Sequence, residues 1–340
     1  MTDNRALFPD ENGEYHDYLE VRNRSAAAVN LSGYWLSDNV TKPYKWQFPS
    51  VSLPAGGCLA VHCSGYDRRA DAAHLHTNFK LSEGENLFLC RPDGSMISTV
   101  ALPALECGQA YSWDGEGWTR ALAPTPNMEN TYDAAIQLDA QGKSKRAGGV
   151  YITEVMASPT SEKYDWIELY NSGDSDVNLS GYGISDRVDH PRKWQFPADT
   201  ILPAKERTAI FLTGASGGKT GGFLSAPFAL NDEGGYTMCL CDANGALLDT
   251  LFVPQQYEGV SFGRDDNGDA GYFAEGTPLK SNKTALKGPA PGASYSVMGG
   301  LHTSGDSFAV SLSAEPGSTI YYTLDCSDPS QSSTRYDGPI

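Results

Sequence analysis

The chain has 340 residues, with 42 Asp+Glu against 25 Lys+Arg, 36 Gly, 20 Pro and 7 Cys. At 40% hydrophobic and 11% aromatic residues it can bury ordinary cores in two or three domains, which excludes a disordered chain. A net charge of −17 with no basic patch disfavours nucleic-acid backbones and anionic membranes, because both are held mainly by Lys and Arg.

Met1 is followed by Thr2, Asp3, Asn4 and Arg5, which is not a signal peptide, and no later apolar run is long enough to span a membrane. Tyr18, Glu20 and Arg22 then alternate with Leu19 and Val21, the period of a strand. Val29-Asn-Leu-Ser-Gly-Tyr34, Lys45-Trp-Gln-Phe-Pro49 and Leu53-Pro-Ala55 follow, and Asn86–Cys90 is apolar enough for a central strand. The same series returns at an offset of about 148 residues: Asp165-Trp-Ile-Glu-Leu-Tyr-Asn171, Val177-Asn-Leu-Ser-Gly-Tyr182, Lys193-Trp-Gln-Phe-Pro197 and Leu202-Pro-Ala204. Order-preserving identity over more than 100 residues predicts two tandem copies of one domain. Turn residues every 8–15 positions and the lack of helical periodicity predict an all-β sandwich for each copy.

The leading Ile152-Thr-Glu-Val-Met156, the Asp165–Asn171 and Val177–Tyr182 stretches, Phe228-Ala-Leu230, the closing Gly259–Arg264 and the Thr277-Pro278 ending resemble the lamin-tail domain. That resemblance implies an immunoglobulin-like β-sandwich of the kind found in nuclear lamins and in secreted bacterial proteins. Met1-Thr-Asp-Asn4 matches Met156-Ala-Ser-Pro159, so a counterpart of Val150–Glu154 is expected upstream or from a neighbouring segment. Further on, Phe308–Ser313, Thr319–Leu324, Asp325-Cys-Ser-Asp-Pro329 and Gly338-Pro-Ile340 resemble the chitobiase C-terminal-type repeat, where a Gly usually stands in place of Cys326. The expected organisation is a sandwich at 1–132, a polar linker at 133–149, a sandwich at 150–283, a linker at 284–297 and a partial β module at 298–340.

Residues that could carry chemistry are few. Gly214-Ala-Ser-Gly-Gly218 has the spacing of a nucleophile elbow but lacks a following helix, and it does not complete a phosphate loop with Lys219 and Thr220. His74 and His76 could share a face, but no third metal ligand is suitably spaced in the sequence. The acid pairs Asp17/Glu20 and Asp165/Glu168 recur in both copies, which suits backbone capping better than acid–base work. Asp265, Asn267 and Asp269 resemble the front half of a calcium loop without its terminal Glu. Asn30 and Asn178 head glycosylation sequons that read equally as turns. Cys239 and Cys241 are expected to be buried as small hydrophobes, and the seven cysteines form no disulfide framework. Trp46 and Trp194 are expected in the cores, whereas the unrepeated Trp35, Trp113, Trp118 and Tyr257 are free to contact a glycan or protein.

These features point to a non-catalytic interaction or scaffold region of a secreted or surface-attached bacterial protein. It would present or dock neighbouring domains, with Trp113, Trp118 and Tyr257 as binding candidates and no cofactor beyond calcium. The alternatives are a calcium-stabilised adhesion module, or an accessory to an enzyme whose catalytic domain, kinase-like for instance, lies elsewhere.

Overall fold

Short alternating segments pair mostly as antiparallel strands in the computed structural model, with Arg207–Leu212 and Phe223–Ala226 running parallel. The structure describes residues 1–113, 117–120, 124–160, 164–214, 218–220, 223–288, 290, 292–297, 309–314 and 316–340. Met1–Leu286 form one unit and Lys287–Ile340 another.

The second sandwich shows the full architecture. One sheet has seven strands in the order Gly218–Thr220, Phe223–Ala226, Arg207–Leu212, Asp165–Asn171, Val150–Met156, Ser261–Arg264 and Ala270–Phe273. The other has four: Trp194–Gln195, Gly183–Ser185, Tyr236–Cys241 and Leu247–Val253. Ile152, Ile167, Leu169 and Ile210 of the first sheet share one core with Ile184, Trp194, Met238, Leu240 and Leu251 of the second. The alternation that makes these strands also divides Tyr236–Cys241. Met238 and Leu240 join the core, while Cys239 and Cys241 are buried on the opposite side, with their thiols near the carbonyls of Arg187 and Pro191. All seven cysteines are free.

In the first sandwich the four-stranded sheet is reproduced by Trp46–Gln47, Trp35–Ser37, Asn86–Cys90 and Met96–Ala101. Even its β-bulge at Leu89/Cys90 recurs, at Leu240/Cys241. Trp46 and Phe48 fill the core here as Trp194 and Phe196 do in the second sandwich. The larger sheet is instead two separate pairs, Tyr18–Arg22 with Cys58–His62 and Tyr111–Trp113 with Trp118–Arg120. Between the equivalent strands of the second sandwich runs Val150–Met156. In the first, Met1 occupies the place of Met156: its ammonium donates to the Tyr18 carbonyl at 3.0 Å, and its carbonyl accepts the Tyr18 amide at 3.2 Å.

The repeated polar residues hold equivalent bonds in both sandwiches. The Asn23 side-chain amide donates to the carbonyls of Ala27, Leu53 and Pro54, and Asn171 donates to those of Ser175, Leu202 and Pro203. Asn30 and Asn178 each accept the amide two residues on, which fixes the Asn-Leu-Ser-Gly turns. Lys45 pairs with Asp38 and Lys193 with Asp186.

The connector at 133–149, expected to be a polar linker, is mostly helical although its sequence shows no convincing helical periodicity. Thr131 caps the helix Tyr132–Gln141 by accepting the Ala134 amide, and a short helix Lys143–Arg146 follows. Tyr132 and Ile136 pack on the second core, a pattern about one turn long and too brief to register as periodicity. Arg264 then locks the helix in place. Its fully buried guanidinium donates to both oxygens of Asp139, to Asp249 and to the carbonyls of Ile152 and Thr250.

In the second unit, Ser294–Tyr295 pairs with Leu312–Ser313 and Tyr321–Tyr322 with Thr334–Arg335. No described side chain of this unit is buried, as expected of isolated two-stranded ribbons. Cys326 has φ 63°, the left-handed turn conformation that a Gly adopts without strain.

Removing Asp249 takes one of two carboxylates from the buried Arg264 guanidinium and leaves the buried Ile152 amide without its acceptor. Asp249→Ala is therefore expected to cost about 3–5 kcal/mol in urea unfolding at neutral pH.

Candidate functional site

The acids shared by the two sandwiches are committed to the fold. Glu168 is fully buried; its carboxylate accepts Thr153 Oγ1 at 2.6 Å, Arg207 Nη1 at 2.8 Å and the Leu279 amide at 2.6 Å. Glu20 likewise accepts the Asn127 amide at 2.7 Å, and Asn127 and Leu279 both have left-handed φ, of 64° and 63°. Glu154 faces Glu168 across the sheet and accepts Ser261 Oγ, the Thr277 amide and Thr277 Oγ1. Burial pushes the carboxyls of Glu20 and Glu154 up to about 7.

A cluster found only in the first sandwich is built differently. The chain turns back between Pro9 and Tyr15, which form an isolated bridge, and Asp10 Oδ1 accepts the amides of Asn12 and Glu14 across the turn. This leaves Asp10 Oδ2 beside His16 Nε2, at 3.2 Å. Burial would raise the Asp10 carboxyl, but the Glu14 and Asn12 amides and His16 outweigh it and hold the group low.

The other half comes from the Cys58–His62 strand and the segment that runs parallel beside it. The His62 amide donates to the Leu75 carbonyl and the Thr77 amide donates to the His62 carbonyl, which brings His76 alongside His62. His76 Nδ1 lies 2.9 Å from Ser64 Oγ, and its Nε2 lies 3.0 Å from Glu11 Oε2. Ligand atoms of Asp10, His16 and His76 lie within 4.8 Å of one another, the one such group of His, Cys and acids among the described residues. His62 is sandwiched between Phe8, 4.2 Å away, and His76, 4.7 Å away, and neither of its buried ring nitrogens has a hydrogen-bond partner. Burial pulls its pKa down to about 4, with His76 and His16 adding to the effect.

Two imidazoles beside ionised carboxylates can hold a cation. The line Ser64–His76–Glu11 also has the outline of a nucleophile, base and acid. Ser64, however, is 3% exposed and its Oγ accepts the Tyr66 amide, so it serves as a turn residue rather than as an accessible nucleophile.

Of the residues picked out from the sequence, the structure brings Trp113 and Trp118 together and leaves Tyr257 apart from them. Trp118 is 39% exposed and stacks on Tyr111 at 5.7 Å, with Trp113 edge-on at 6.0 Å. Tyr257 belongs to the second sandwich, where it lies 5.9 Å from Tyr272. Asp265 Oδ1 accepts the amides of Asn267 and Asp269, and the Asp269 carboxylate pairs with Lys143 at 2.6 Å. Ser216 of the elbow-like stretch lies outside the described residues. A cleft of about 250 Å³ between Leu7, Tyr15 and the connector helix includes Asp139, Arg146 and Asp249, which are bonded to Arg264 or to one another.

Sequence reasoning reached His76 but missed Asp10, His16 and His62, because the segments that meet lie up to 65 residues apart. A signal was available: four of the six histidines fall in the first copy, at positions where the second copy has none. Matched strand pairs put Phe211 in the place of His62 and Ser225 in that of His76, and the repeat offset puts Tyr164 in that of His16.

The buried Glu154 predicts a pH effect. Its folded pKa lies above the ordinary value of 4.5, so the folded state binds more protons between pH 4.5 and about 7, and its contribution to stability falls as pH rises through that window. Relative to Glu154→Gln, the wild type should lose roughly 1–3 kcal/mol over this range in parallel urea titrations. The comparison with the variant is needed because His62, depressed to about 4, has the opposite slope.

The family profile of the Lamin Tail Domain matches residues 6–103 and 143–254, and that of the Chitobiase/beta-hexosaminidase C-terminal domain matches residues 299–340. No curated protein matches the chain.

Proposed function

Because this chain belongs to the lamin tail domain family across both of its sandwiches, we propose that it works without catalysis, as an extracellular region that spaces and docks the neighbouring domains of a larger bacterial surface or secreted protein. The observation that carries this reading is that the buried acids of both sandwiches are consumed by backbone amides, hydroxyls and arginines of the fold. A group bonded in this way is not free to exchange protons with a substrate.

The contact surface in this reading is the ribbon Tyr111–Trp113/Trp118–Arg120, and its ligand is a glycan. Trp118 stacks on Tyr111 and exposes an aromatic face of the kind that receives a sugar ring. The second sandwich buries the equivalent ribbon, Ser261–Arg264 with Ala270–Phe273, within its seven-stranded sheet. The match of 299–340 to a domain named for chitobiase and beta-hexosaminidase supports a glycan setting.

Binding of the full chain to a glycan array that includes N-acetylhexosamine oligomers checks this. A signal above background that falls at least about tenfold in Trp118→Ala is expected. An empty array, or a signal indifferent to Trp118, would sink the glycan assignment.

A further inference from the structure

We propose that Asp10, His16 and His76 bind one divalent transition-metal cation of the zinc class, with Glu11 as the fourth ligand. The donors are two imidazoles and two carboxylates, the mixed nitrogen and oxygen set that such a cation accepts. Their ligand atoms already lie within 4.8 Å of one another for Asp10, His16 and His76, with Glu11 Oε2 3.0 Å from His76 Nε2. Zinc–nitrogen bonds of about 2.0–2.1 Å in a tetrahedron require ligands roughly 3.4 Å apart, so Asp10, His16 and His76 need to draw together by at most about 1.4 Å.

The surroundings prepare these groups. Two amides fix Asp10 Oδ1 and leave Oδ2 toward His16. Ser64 Oγ lies at His76 Nδ1, the arrangement that holds a ligating imidazole with its other nitrogen free for the metal. Arg68 donates to the other oxygen of the Glu11 carboxylate and so holds it in place beside His76. His62, fully buried, stacks on the His76 ring at 4.7 Å and fixes its plane. Glu11 and His16 lie on the open side, with side chains 34% and 14% exposed, and provide the entry path.

The fold does not need these histidines, since the second sandwich closes with Tyr164, Phe211 and Ser225 at the same places. Bound metal would clamp the Pro9–His16 turn to the segment that carries His76, in one sandwich only.

Calorimetric titration of the chelator-treated full chain with zinc tests the proposal, with thermal melting in parallel. One zinc per chain and a rise in melting temperature that EDTA reverses are expected. Affinity should drop at least about tenfold in His16→Gln, and in Asp10→Asn, which retains the acceptor for the turn amides. The remote His190→Gln should bind as the wild type does. Circular dichroism confirms that each variant is folded. Absence of zinc binding by the wild type, or unchanged affinity in folded His16→Gln and Asp10→Asn, would overturn the assignment.

Discussion

A carboxylate on a sheet strand that accepts a backbone amide is the bond on which each sandwich closes, fully buried at Glu168 and partly exposed at Glu20. Glu168 takes the amide of Leu279 and Glu20 that of Asn127, in each case just past a Thr-Pro pair and at a residue with left-handed φ. An unpaired carboxylate in such a place would cost several kcal/mol, so the closing segment and the central strand must meet for either to be stable. Val21 and Leu169 then face their cores, and the tryptophans of the two Lys-Trp-Gln-Phe-Pro segments fill the space between the sheets. The second sandwich adds a further anchor: Arg264 ties the connector helix to the sheet through Asp139 and Asp249. Trp113 stands at the matching place in the first sandwich, with Arg24 over its ring at 5.6 Å.

Duplication within one chain separates building from doing. What both copies possess, including Asn23/Asn171, Glu20/Glu168 and the Asp–Lys pairs, is occupied by the fold. Two sets in the first sandwich have no counterpart in the second. One is the aromatic ribbon around Trp118, and the other is the cluster of Asp10, Glu11, His16, His62 and His76. The first suits contact with a sugar face and the second suits a cation, so recognition and local stiffening are assigned to different parts of one domain.

Much of the architecture was legible because strand identity and repetition are local properties. The spacing of Trp46 and Phe48 gave the core face, and Asn-Leu-Ser-Gly gave the turn, both as found. At Cys326, where the resembling family usually has Gly, the structure keeps the positive φ of the glycine turn. The connector helix was hidden because its stability comes from Arg264, 125 residues away from Asp139, and not from its own periodicity. The histidine cluster was hidden for a similar reason. Its ligands belong to a turn, to the segment after it, and to a strand-like segment some 60 residues on, and only the parallel pairing beside His62 brings them together.

Native-state hydrogen exchange at the Asn127 and Leu279 amides measures the closing bond itself. If the carboxylates of Glu20 and Glu168 hold these amides as part of the fold, both should exchange only through global unfolding, as slowly as the central strand amides. Exchange at the rate of an open surface loop would contradict the account, and would return the shared carboxylates to the pool of groups free for other work.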